Sequence, residues 1–161
     1  MVGPIRLLRE GGLFSLAASA CLLLLMRFQP RLFLRHLPQE MRSVVPPRSE
    51  KERWMSIPFG LLIGLPFALA LLWRTAALES HSFRQHFVYA FGVLLIFNLV
   101  DLLLIDWLIV CWWRPRWAVF PGTEQVVLPS PYRHHFNGFM MGLVGITFAG
   151  LAVAGFLSIR F

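Results

Sequence analysis

The chain has 161 residues, 57% of them hydrophobic and 14% charged, with a mean hydropathy of +0.65. Soluble domains carry about 25% charged residues, so a water-soluble globule of this length, with that much apolar surface to hide, is excluded. The net charge of +7 comes from 14 Arg and one Lys against eight acids. Most of those Arg flank apolar runs, so the basicity reads as topology and lipid-headgroup contact, and nucleic acid is not an expected partner.

The composition predicts a single integral membrane domain over 1–161, an all-α bundle of four transmembrane helices. The spans are expected at about 11–28, 57–77, 86–113 and 136–159, each close to or above the ~17–25 residues that cross about 30 Å of hydrocarbon. At the N-terminus, Arg6, Arg9 and Ala18-Ser19-Ala20-Cys21 imitate a processed leader. Leu22 to Met26 continue the apolar run past the would-be cleavage point, so a retained helix is expected. Cys21 and Cys111 fall at different depths and read as packing residues without a disulfide.

The segment between the first two spans carries Pro30 and then Arg31-Leu-Phe-Leu-Arg-His-Leu37, an amphipathic connector at the headgroup boundary. Val44-Val-Pro-Pro-Arg forces an extended turn, with Ser56 expected to cap the second helix. In that helix Gly60, Gly64 and Ala68 form a small-residue stripe, and Pro66 is expected to kink it. In the fourth helix Gly138, Gly142, Gly145 and Ala149 repeat the pattern. Such stripes point to helix packing or to an oligomer, although glycine is generally frequent in membrane helices.

The third span holds the chemistry, Asn98-Leu-Val-Asp101-Leu-Leu-Leu-Ile-Asp106-Trp107. Each Asp near the bilayer centre costs about 2.5–3.5 kcal/mol on the insertion scale, and nothing about spanning requires it. An intramembrane carboxylate is a functional candidate by default. At ~100° per residue Asn98 and Asp101 share a face, whereas Asp106 lies about 140° from Asp101, so a close carboxylate dyad is not expected. Asp106 should lie about 12 Å from the boundary at Arg114, with Asp101 near mid-membrane. Ser15 and Thr147 fall level with Asp101, which predicts a hydrogen bond from Asp101 to a neighbouring helix. The alternative to such a clasp is transport or catalysis.

Between the third and fourth spans, Trp117-Ala-Val-Phe120 and Gln125-Val-Val-Leu128 flank Pro121-Gly122-Thr123-Glu124. This predicts a small cytoplasmic β-hairpin around a type II turn, capping the bundle. His134 and His135 follow, where the fourth helix enters. With Glu124 they are binding candidates, but the spacing matches no metal motif, and no metal site is assigned. His81 and His86 lack a matching partner at their depth for a haem, so the cofactor stays unknown. Trp54, Trp73, Trp112, Trp113 and Trp117 read as interfacial anchors.

Counting Lys and Arg places ten in the two longer loops against five on the other side. This puts 29–56 and 114–135 in the cytoplasm. Asn98-x-x-Asp101-x4-Asp106-Trp107, Pro121-Gly-Thr-Glu124 and His135-Phe-x-Gly-Phe139 together resemble a pattern in an uncharacterised family of small bacterial multi-pass membrane proteins. The resemblance covers the last two helices and their loop and carries no mechanism. It implies one site, with Glu124 and His135 approaching Asp106 from the cytoplasmic side. The first expectation is therefore a non-enzymatic bacterial inner-membrane protein that meets lipid and either other membrane subunits or its own copies. A transport element using Asp101 and an enzyme acting on a lipid headgroup are the alternatives.

Overall fold

The computed structural model describes residues 3–79 and 82–160. Five α-helices are present: α1 (Pro4–Phe28), α2 (Gln39–Val44), α3 (Glu50–Ala76), α4 (Phe83–Val100) and α5 (Pro131–Arg160). A 3₁₀ segment, Pro30–His36, follows α1, and α4 runs on into a π-helix, Asp101–Trp113. Four of these rods, with α4 and its continuation counted as one, are long and apolar enough to span a membrane. The predicted spans are found, with earlier starts. The second begins at Glu50 because Ser49, not Ser56, caps it: Ser49 Oγ accepts from the Glu52 amide while the Glu52 carboxylate accepts from the Ser49 amide.

The helices approach each other at Gly142, which a small-residue stripe marked, and at three glycines that the stripes did not mark. A Cβ on Gly11 of α1 would lie 2.4 Å from Ile96 Cδ1 of α4, and one on Gly92 would lie 2.9 Å from Leu7 Cδ2. On the other side of α4, Gly150 of α5 receives Phe87 and Phe91. Without a hydrophobic drive between helices in lipid, this closeness supplies the van der Waals contact that holds the bundle. Helix α3 is peripheral. Only 6% of its apolar window is buried inside the molecule, against 17% for α4 and α5. Its packed side is Phe67, Leu71 and Thr75, one face of its C-terminal half, where Leu71 joins Tyr89, Ala90 and Val93 in the main core.

The connections at the other end fold into a cap. Arg31 reaches from the 3₁₀ segment to Glu52 and to the carbonyls of Pro46 and Pro47. Arg48 donates to the Arg31 carbonyl at 2.8 Å and to that of Leu32. Leu34, Val45 and Phe120 then form a second small core joining the two loops.

The predicted β-hairpin does not form, and no strand occurs among the described residues. Its turn does exist: the Thr123 amide donates to the Phe120 carbonyl at 3.1 Å, and Gly122 sits at φ +87°, a conformation glycine accepts without strain. What fails is the pairing of the legs. The Ala118 amide turns back on the Pro115 carbonyl, and the Val126 amide turns back on Thr123, so neither leg is extended beside the other. Phe120 goes instead into the core with Leu34 and Val45, burial that a free two-stranded ribbon does not offer.

A polar cavity between the helix ends and the cap

The second half of the third span departs from α geometry. From Asp101 onward the ladder is i→i+5, and it closes where the Arg114 amide donates to the Ile109 carbonyl at 2.8 Å. Long π-helices are rare, and their short forms gather at functional sites. The consequence here is angular. An i→i+5 ladder holds more residues per turn than an α-helix, so residues five apart come closer in angle, and Asp101 and Asp106 turn to the same side. Asp101, Asp106, Val110 and Arg114 all line one cavity, recurring every four or five residues. Leu103, Leu104, Leu108, Trp112 and Trp113 point outward. The α-helical expectation that separated the two acids by about 140° is therefore corrected.

The cavity holds about 850 Å³ and lies between the bundle and the loop cap. Leu22, Met26, Phe97 and Met141 supply apolar wall. Asp106 Oδ1 is 2.9 Å from His135 Nδ1, joining the third span to the start of α5. Asp101 Oδ1 is buried with no hydrogen-bond partner. Leaving such an atom unmatched costs about 1–3 kcal/mol. The predicted bond to a hydroxyl does not form, because Ser15 Oγ donates to the Gly11 carbonyl and Thr147 Oγ1 to that of Leu143, each at 2.7 Å. Both hydroxyls are satisfied within their own helical turn, which leaves neither for Asp101.

Asn98 is the clasp between helices. Its Nδ2 donates to the Phe139 carbonyl at 3.2 Å, and its side chain fills the space that a Cβ on Gly142 would occupy, 2.6 Å from Asn98 Oδ1. A Cβ on Gly60, Gly64, Gly138 or Gly145 would meet nothing within 4 Å. Gly138 lines the cavity instead.

His134 also lines the cavity, and one of its ring nitrogens lies 3.0 Å from the His36 carbonyl, tying α5 to the cap. Glu124 stands apart from the cavity. It is exposed, and its carboxylate accepts from the Gly122 amide at 3.0 Å. Backbone amide donors, its own first and then that of Gly122, hold the Glu124 carboxyl below the usual carboxylate range. The arrangement thus brings Asn98, Asp101, Asp106, His134 and His135 together and leaves Glu124 out. His86 is buried in α4, while His81 lies outside the described residues.

A second polar cluster, not anticipated, sits at the opposite end of the bundle. The Glu10 carboxylate accepts from Arg6 Nε at 3.0 Å, from Arg74 Nη2 at 2.6 Å and from the Tyr89 hydroxyl. It is 8% exposed. The available signal was Arg6 and Glu10 spaced i, i+4 on one helix, which reads equally well as an interfacial pair.

Fold and site define a helical multi-pass membrane protein with a polar cavity under a folded cap. Searches of family descriptions, curated proteins and solved structures find no match to the chain.

Proposed function

We propose that the chain is a bacterial inner-membrane protein that holds the polar headgroup of an inner-leaflet lipid in this cavity. The observation that carries the reading is the opening of Asp101 and the Asp106–His135 pair into one cavity of about 850 Å³ whose wall is largely apolar. Sites of that size with a few convergent polar groups take ligands rather than serve packing alone. Ten Lys and Arg in the loops on that side support a cytoplasmic placement for 29–56 and 114–135. The resemblance to small bacterial membrane proteins, through Asn98, Asp101, Asp106 and His135, supports the assignment to a bacterial membrane.

Gly138 gives the test. Its Cβ position is open and faces the cavity, so Gly138→Leu fills the space without clashing and improves helix propensity. Native mass spectrometry of the detergent-purified full chain should detect one retained lipid, and at least about tenfold less of it in Gly138→Leu at an unchanged unfolding temperature. Equal retention would defeat the reading.

A second reading, association with other membrane subunits or with its own copies, draws on α3. Gly60 and Gly64 lie open on the least buried span. Small residues left free on a lipid-facing helix suit a partner helix. The two readings use different faces. Transport through Asp101 is less well supported, since Phe97 at the cavity floor stacks edge-on with Phe14, which in turn meets Phe67.

A further inference from the structure

The charges around the cavity are sorted by position. Asp101 and Asp106 lie inside it, and Arg35, Arg42 and Arg114 line it from the connector, α2 and the end of the third span. None of the three arginines pairs with an acid among the described residues. A purely anionic headgroup would satisfy the arginines and leave two carboxylates facing it. A simple cation would satisfy the carboxylates and meet three guanidinium groups on entry. A zwitterion with its ammonium leading and its phosphate trailing complements both.

We infer that the ligand is a phospholipid whose headgroup carries a primary amine, such as a phosphoethanolamine lipid, with the ammonium at Asp101 and Asp106 and the phosphate among Arg35, Arg42 and Arg114. This rests on the headgroup-binding reading above. Two further observations support it. The unmatched, buried Asp101 Oδ1 is an acceptor waiting for a donor, and an ammonium with three N–H groups supplies one while leaving others for Asp106. Arg114 is the one non-glycine residue at positive φ among those described, +47°, at a helix C-terminus where glycine is the unstrained choice. An arginine kept in that conformation beside a cavity is strain retained for its side chain, and guanidinium is the group suited to gripping phosphate. The apolar wall then accommodates the first part of the acyl chains.

The test uses the full chain in detergent micelles with a fluorescent phospholipid as probe. It is displaced by phosphatidylethanolamine, phosphatidylglycerol, phosphatidylcholine or soluble glycerophosphoethanolamine. Phosphatidylethanolamine should compete at least about tenfold better than the other two lipids. Asp101→Asn should abolish that preference. Arg114→Gly, which relieves the positive φ and so keeps the fold, should weaken both lipids about equally. Equal competition by phosphatidylglycerol, or a preference surviving in Asp101→Asn, would overturn the amine assignment and leave the cavity reading standing. Soluble glycerophosphoethanolamine matching the lipid would overturn a membrane source. Displacement by no lipid, with Gly138→Leu also without effect, would remove both.

Discussion

Glu10 is a carboxylate almost removed from solvent, held by the guanidinium groups of Arg6 and Arg74 and the Tyr89 phenol, with Arg9 at 3.9 Å. Taking away one member of such a set strands the others, although the arginines remain partly wet, which limits the loss. Glu10→Gln should therefore lower stability by about 1–3 kcal/mol, read as the unfolding midpoint in detergent. The pair Glu10→Gln with Arg74→Gln should lose less than the sum of the single changes. Glu124 gives a local, pH-dependent counterpart. Its carboxyl is depressed in the folded chain by the amides it accepts from, so its hold on the turn is complete above the ordinary carboxylate value and is lost as pH falls through the folded one. Hydrogen exchange at the Gly122 amide, taken relative to the intrinsic rate at each pH, should lose protection on acidification in the native chain, and that protection should be low and independent of pH in Glu124→Gln. Among single residues, the intramembrane acids stood out because spanning a membrane does not require charge in an apolar run, whereas His135 at the helix entry read equally well as an interfacial anchor. Glu10 did not stand out, because Arg6 and Arg9 beside it make an ordinary membrane edge.

At the scale of elements, apolar length and capping residues were enough to locate four spans, and two features escaped. The hairpin was expected from a correct turn, but turn chemistry says nothing about where the flanking residues are buried, and Phe120 found a better place against Leu34 and Val45. The π-helix carries no glycine or proline within Asp101–Trp113 to announce it. Its register became visible only through the side chains that share the cavity. Helix contact through Gly142 and Asn98 is open to direct test. Gly142→Ala places a methyl group against the Asn98 amide and breaks its bond to Phe139, with an expected cost of about 1–3 kcal/mol. Asn98→Ala in the same chain opens the space again and should recover part of that loss, a coupling measurable by a double-mutant cycle in detergent unfolding.

For the molecule as a whole, both longer loops lie on one side because they share a core and because His134 reaches His36. Positive charge then argues for which side that is. With Cys21 and Cys111 replaced by Ser, Gln125→Cys should react with an impermeant thiol reagent in inverted vesicles alone, and Glu79→Cys in right-side-out cells alone. The reverse pattern would place the cavity toward the outer leaflet.

The way α3 is attached has a mechanical consequence. It is pinned near one end by Arg31 to Glu52 and near the other by Arg74 to Glu10, with apolar packing only toward the second pin. The Arg31 pin is the more solvated clip, and partly exposed ion pairs soften as ionic strength rises. Raising salt should thus unlatch the Ser49 end first, letting the rod swing about its Leu71 end like a door on one strong hinge.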